Sequence, residues 1–403
     1  MAADRPYEYV IIGGGLAGAS AIQGIREKDP DGSILLACAE KHLPYNRPPL
    51  TKQLWTGKKK LVEIFVNSPE FYRKSRADVM LGTKIVSIDA ASHTVTDTQE
   101  ISYAYRKLLL ATGGAPQMLN IPGGDTDGLC YFRYLDDYLQ VREEAAKGKS
   151  AVVIGGGFIG SEIAAALSLN GVFVTMVFPE PYLCSRVFPE ALGRAIQDRY
   201  IEKGVDIVSG DRPALIEKRE GRFVTQTGRG RQIETDIAIA GIGIKPSLGL
   251  AQKAGLRTAD GIEVDEFLQT SDPDIFAAGD NALFPYHALG KRMRVEHWDN
   301  ALNQGKQAGR NMAGRREPYT YMPYFFSDLF EFGYEAVGEV STESLETWAD
   351  WQKENDTGVV YYIKDGKIRG ALMCNIWGKL DEARKLILEG GRITHESLKG
   401  AIV

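Results

Sequence analysis

The chain is poor in cysteine. Four occur in 403 residues, Cys38, Cys130, Cys184 and Cys374, and none forms C-x-x-C. That scatter fits buried thiols in a reducing compartment. An excess of one charge is also missing. Lys and Arg number 48 against 53 Asp and Glu, interspersed, for a net charge of −5. No polybasic arm stands out, which argues against a nucleic-acid partner. No apolar run reaches the roughly 20 residues of a membrane helix, so no span is expected. The first strand-like run begins about nine residues from Met1, leaving no room for a signal or transit peptide. A cytoplasmic protein is expected, or an organellar one if a transit segment has been removed. No metal site is expected. The hydrophobic fraction, 44%, is ordinary and allows a large core. The length implies two or three domains.

What the chain does have is glycine in telling places. Tyr9-Val10-Ile11-Ile12 is a short apolar run with β-branched residues. Gly13-Gly14-Gly15-Leu16-Ala17-Gly18 follows, then small helix-forming residues to Ile25. This is strand, tight turn and helix at G-x-G-x-x-G spacing. Gly13 permits the turn, Gly15 lets backbone approach a pyrophosphate, and Gly18 lets helix and strand pack closely. The new helix aims unpaired N–H groups at the phosphates. Glu40 closes the next apolar run, 22 residues after Gly18, where an acid suits the adenosine ribose hydroxyls. The alternative is an ordinary glycine-rich turn.

A second copy follows 142 residues later. Ser150 to Ile154 is a strand, Gly155-Gly156-Gly157-Phe158-Ile159-Gly160 the turn, and Ser161 to Leu169 the helix. Two complete fingerprints point to two dinucleotides; the alternative is a duplicated fold with one dead site. The next strand, Val172 to Phe178, ends at Pro179-Glu180. An acid there repels a 2′-phosphate and favours NADH over NADPH. Arg186, nearby, pulls the other way.

Between the copies, three prolines in Pro44-Tyr45-Asn46-Arg47-Pro48-Pro49 exclude a regular helix until after Pro49. The loop delivers Arg47 and Lys52 to one place, either as a basic surface loop or as charges aimed at a cofactor. No cysteine pair lies near, which argues against thiol chemistry there. Lys84 to Asp89 and His93 to Asp97 read as short strands, with His93 a solvated strand end. Leu108 to Gly114 is a buried strand ending in a glycine turn. Beyond the second copy, Ala191 to Lys203 is an amphipathic helix, and Ile207 to Thr227 reads as strands turned at Glu220-Gly221. Asp236 to Gly243 and Asp274 to Asp280 are further buried strands. Asp280 is either a helix N-cap or an acceptor for a hydroxylated chain. Met293 opens a helical pattern to Met312. There His297, between Glu296 and Trp298, is either a helix-start residue or a ring beside a cofactor. Pro318 and Pro323 mark a boundary. Asp365-Gly366 joins two strands as a hairpin, and Asp381 to Glu389 is a last helix stopped by Gly390-Gly391.

These motifs, with Arg47-Pro-Pro-Leu-Thr-Lys52, Ala278-Gly-Asp280, Arg294-Val-Glu-His297, Phe326-Ser-Asp-Leu329 and Gly333-Tyr-Glu-Ala336, make the chain resemble a known family along its whole length. It resembles the two-dinucleotide-fold flavoproteins of the pyridine nucleotide-disulfide oxidoreductase superfamily. The branch is the apoptosis-inducing-factor-like one, with ferredoxin, rubredoxin and monodehydroascorbate reductases as near cousins. The resemblance implies an α/β fold with two Rossmann-like domains and an α+β C-terminal domain. The FAD domain is discontinuous, 1–120 and 244–318; the NAD domain is 121–243, and the C-terminal domain 319–403.

The resemblance also implies roles. The first fingerprint takes FAD, with Glu40 on the ribose, Arg47 near the phosphates, Asp280 on the ribityl side and Arg133 on the flavin. The second takes NADH through Gly156, Gly157, Phe158 and Ile159, with Glu180 and Arg186 at the adenosine end and Gly243 near the nicotinamide. Lys52 and Glu162 resemble the charged pair beside the flavin. Phe158, His297 and Glu335 resemble residues that hold or stack the nicotinamide, and Glu296 and Trp298 are counted with the cofactor contacts. Phe326 stands where tryptophan is common in the family. Lys52, Glu162 and His297 are the expected catalytic set.

The activity implied is NADH oxidation, with hydride passing to flavin N5 and a long-lived reduced flavin–NAD complex. The acceptor is left open: a quinone, a dye or a small iron–sulfur protein. One alternative is an NADH-dependent ferredoxin or rubredoxin reductase, for which Lys58-Lys59-Lys60 and Lys291-Arg292 offer a basic rim or are merely solvated loops. Another is an NADH-sensing interaction protein whose homodimer depends on NADH.

Overall fold

The computed structural model describes residues 6–402. The chain divides into two compact units. One is built from the chain up to Asn46, Leu61–Ala115 and Lys245–Pro323; the other takes Arg47–Lys60, Pro116–Ile244 and everything from Tyr324 onward. The segments expected as the nicotinamide and C-terminal domains thus fall in one unit, together with the loop that carries Arg47 and Lys52.

In the first unit the strand Tyr7–Ile12 pairs parallel with Ile34–Ala37 on one side and Ser102–Leu110 on the other. Ala77–Met80 adds beyond Ile34–Ala37, and Ile275–Ala277 pairs with Leu108 to Leu110. The Ile34–Ala37 strand is buried throughout, as expected where both faces of a parallel sheet are covered. Two helices, Leu16–Arg26 and Trp298–Met312, pack together through small residues. A Cβ on Gly305 would lie 2.2 Å from the Ala17 carbonyl oxygen, and one on Gly309 2.1 Å from that of Ala21.

One expectation is corrected here. Helix does not begin at Met293, because Lys291–Arg294 is a strand paired antiparallel with Ala282–Tyr286. The helix starts at Trp298, with His297 in extended conformation at its N-cap. Of the two readings of Asp280, the helix N-cap drops out, because the element after it is the strand Ala282–Tyr286.

The second unit holds another parallel sheet, in the order Asp206–Ser209, Phe173–Phe178, Ser150–Ile154, Ile237–Ala240, Cys130–Tyr131. The strand around Ile207 therefore belongs to this nucleotide-type sheet and not to the meander after it, because it pairs parallel with Thr175 to Phe178. The meander proper is Pro213–Arg219, Arg222–Thr227 and Gln232–Thr235, turned at Glu220 and Gly221. Ile216, Phe223 and Ile233 from it share a core with Val152, Ile154 and Val177. The C-terminal part is a five-stranded antiparallel sheet in the order Tyr324–Leu329, Phe332–Gly338, Lys367–Cys374, Thr357–Lys364, Glu346–Lys353. Asp365 and Gly366 both take positive φ, 53° and 69°, as a two-residue type I′ hairpin requires. Helix Leu380–Glu389 ends on left-handed Gly390, and a short helix, His395–Leu398, follows that the sequence pattern does not reveal. Among the described residues no helix is long and apolar enough to cross a membrane.

Candidate active site

The first glycine turn is sterically committed. Gly13 has φ +123°, and a Cβ there would lie 2.1 Å from the Ala111 carbonyl oxygen. On Gly14 it would meet the Cys38 sulfur at 2.5 Å, and on Gly18 the Gly13 oxygen at 2.1 Å. Gly15 is the helix N-cap; no side chain caps it and no acid stands in the first turn. That leaves the positive end of the helix dipole to an anion from outside the chain. Glu40 follows the Ile34–Ala37 strand and accepts the Tyr45 hydroxyl at 2.6 Å. Gly279 donates its N–H to the buried Gln304 Oε1 at 2.8 Å, which fixes the turn bearing Asp280. The Arg294 guanidinium donates to the Asp280 carbonyl oxygen at 3.1 Å and to the Glu296 carboxylate. Burial pushes the His297 ring down to about 4, so it is neutral near pH 7. The indole N–H of Trp298 donates to Asn46 Oδ1 at 2.7 Å. Gly13, Gly15, Gly18, Glu40, Asp280, Glu296, His297 and Trp298 all belong to this unit. A dinucleotide pyrophosphate fits this cradle, because the helix start offers backbone N–H groups with no side-chain cap and no acid beside them.

The second turn repeats the device in the other unit. A Cβ on Gly155 would lie 2.4 Å from the Gly241 oxygen, on Gly156 2.7 Å from the Phe178 ring, and on Gly160 2.0 Å from the Gly155 oxygen. On Gly157 it would meet nothing within 4 Å, so that flank is open. Gly157 caps its helix with no side chain, and again no acid stands in the first turn. Ile159 is exposed, while Phe158 packs against Phe325 and Tyr334 at 5.5 and 6.3 Å between ring centres. Glu180 follows the Phe173–Phe178 strand, half-buried. Arg186 is exposed, its Nε 3.6 Å from Glu343. Gly243 has φ +98° and is exposed. Glu335 accepts the Gly378 N–H at 3.2 Å, and burial raises its carboxyl above the ordinary range. The Arg47 guanidinium lies 5.8 Å from the centre of the Tyr134 ring, and the Arg133 N–H donates to Asp137.

The same unit holds a buried charge cluster. Lys52 Nζ lies 3.0 Å from Glu162 Oε1, with side chains 8% and 7% exposed. Thr51 Oγ1 donates to Glu162 Oε2 and Ser327 Oγ to Oε1, each at 2.5 Å. The Phe326 ring lies 4.5 Å from Lys52 Nζ, a cation–π contact. Glu162 thus gathers a cation and two hydroxyls. Thr51 and Ser327 were missed from the sequence; their only signal was adjacency to Lys52 and Phe326. The four cysteines are free and buried. Burial pushes Cys38 and Cys184 up to about 12 and raises Cys130 and Cys374 as well, so none is a ready nucleophile.

The sequence profile of the pyridine nucleotide-disulphide oxidoreductases matches residues 7–305. The chain is 34% identical to monodehydroascorbate reductase 3 of Arabidopsis thaliana over 93% of this chain and 90% of that protein. It is 33% identical to the mitochondrial apoptosis-inducing factor 1 of Dictyostelium discoideum, covering 95% of this chain and 78% of that protein. Among solved structures, the ferredoxin reductase for the CYP199A2 system of Rhodopseudomonas palustris superimposes with a TM-score of 0.89 at 30% identity, over 96% of both chains. With two uncapped glycine-turn helices and a fold of that kind, the chain belongs to the pyridine nucleotide-disulphide oxidoreductase family and is an FAD-dependent NAD(P)H oxidoreductase.

Proposed function

We propose that the chain is an NADH-dependent reductase that delivers electrons to a small iron–sulfur protein of ferredoxin type. The first cradle takes FAD, with Glu40 and Asp280 as its polar contacts and neutral His297 nearby. The second takes NADH, with Glu180 facing the adenosine ribose. The observation that carries this reading is the pairing of two uncapped glycine-turn helices in one chain with four inert thiols. Electrons then have no sulfur stop on their way out. The likeness to a ferredoxin reductase supports the acceptor class.

Bound FAD supplies hydride acceptance at N5. The protein contributes placement and charge. Glu180 disfavours a 2′-phosphate, and Arg186, already beside Glu343, is not committed to one. Lys52 is paired with Glu162, which Thr51 and Ser327 bond in turn, so it is a fixed cation of the kind that stabilises the negative charge hydride brings.

Two measurements test the reading. Anaerobic titration of the yellow protein should bleach it with NADH at lower concentration than with NADPH; a colourless protein unable to take up flavin would overturn the assignment. Cytochrome c reduction should be brisk only with added ferredoxin. If it is slow with ferredoxin, and the NADH-reduced protein persists with a long-wavelength band, the long-lived complex expected from the apoptosis-inducing-factor resemblance replaces the ferredoxin reading. Lys58, Lys59 and Lys60 are exposed. Reversing their charge should raise KM for ferredoxin and leave KM for NADH unchanged.

A further inference from the structure

The loop between the Phe173–Phe178 strand and the Glu190–Glu202 helix starts at Glu180 and contains Arg186. It is gripped along four successive residues. On one side the Cys184 N–H donates to the Gly156 carbonyl oxygen at 2.8 Å, tying the loop to the second glycine turn. On the other side the C-terminal part takes the next three carbonyls in order, through Thr342 in the turn between the Phe332–Gly338 and Glu346–Lys353 strands and through Tyr362 in the sheet. Thr342 Oγ1 donates to the Ser185 oxygen at 2.5 Å, the Thr342 N–H to that of Arg186 at 3.0 Å, and the Tyr362 hydroxyl to that of Val187 at 2.5 Å. Leu183 and Phe188, fully buried, close the ends of this stretch. Phe188 sits edge-on to Phe332 and Tyr334 of the same sheet.

We propose that Thr342 and Tyr362 are positioning residues for nucleotide recognition: the C-terminal sheet and the turn that carries Thr342 hold the 180–188 loop in register with the second glycine turn and so set the affinity for the adenosine end of NADH. This rests on the reading that the second turn binds NADH. The physical case is one of entropy. A loop that must present an acid to a ribose loses freedom on binding unless it is ordered beforehand. Three hydrogen bonds to consecutive carbonyls do that ordering in the free protein. Neither side chain touches the nucleotide in this account; both act through the loop backbone.

The test uses the full-length flavoprotein and ADP-ribose, which probes the adenosine end without chemistry. Thr342→Val with Tyr362→Phe removes two hydroxyl donors and keeps shape and the Thr342 N–H bond. Calorimetric binding of ADP-ribose should weaken by about tenfold, or about 1.4 kcal/mol. Thr342→Ser, which retains the hydroxyl, should bind as the parent does. In stopped-flow reduction the double variant should show a raised apparent Kd for NADH with an unchanged limiting rate. If the double change lowers flavin content or expression, Tyr362→Phe alone carries the same comparison. Equal ADP-ribose affinity in parent and variant overturns the positioning role while leaving the NADH reading intact. A parent protein that binds no ADP-ribose overturns both.

Discussion

Glu162 is a carboxylate removed from water with one cation and two hydroxyls for company. Such a group is expensive to disturb from one side. Glu162→Ala strands the Lys52 charge and should destabilise the unit by about 3–5 kcal/mol, read as a lower Tm. Lys52→Ala should slow NADH-driven bleaching of the flavin; an unchanged rate removes Lys52 from the chemistry. His297 gives a pH signature. Burial lowers its ring from the ordinary 6.5 to about 4. Between those values the unfolded chain holds the proton and the folded one does not, so stability is full above about pH 6.5 and is lost as pH falls toward 4. His297→Gln should flatten that acid slope; parallel Tm curves from about pH 7 to about pH 5 would contradict it. The Lys52–Glu162 pairing was legible only through family resemblance, because nothing in a separation of 110 residues announces contact. Thr51 and Ser327 were not legible, since hydroxyls in loops and strands have many local uses.

At the scale of elements, glycine does two separate jobs, and substitution should separate them. Gly309 sets how closely two helices approach, since a Cβ there would lie 2.1 Å from the Ala21 carbonyl oxygen. Gly309→Val should overpack that contact, cost about 1–3 kcal/mol and loosen FAD, seen as flavin lost on gel filtration. Gly157 is the opposite case. It has φ −85°, which other residues adopt, and no neighbour within 4 Å of a modest side chain. Gly157→Ala should leave Tm and flavin content unchanged and weaken ADP-ribose binding, because the methyl intrudes only on a bound pyrophosphate. Both turns were plain in the sequence, since their spacing is the steric requirement itself. The start of the Trp298 helix was not, because Met293 and Arg294 fit a helical pattern until the partner strand Ala282–Tyr286 is known. The glycines of that helix look like breakers until the facing backbone is seen.

Across the whole molecule the question is how electrons leave. A family named for disulphide chemistry invites a thiol relay, and this chain offers four thiols, one in the first unit and three in the second. All four are buried, and burial raises each above its ordinary pKa. A thiol so shifted carries almost no thiolate near neutral pH, and thiolate is the form that attacks a disulfide or a reagent. In the proposed reading the two hydride carriers exchange electrons with no thiol between them, and the acceptor takes them from the flavin. Native protein should be silent to an aromatic disulfide reagent and should keep its NADH-to-ferredoxin rate after iodoacetamide. Unfolding should release all four thiols to the same reagent. One fast-reacting thiol in the native state, with activity lost in step, would restore a sulfur to the route and sink the direct transfer.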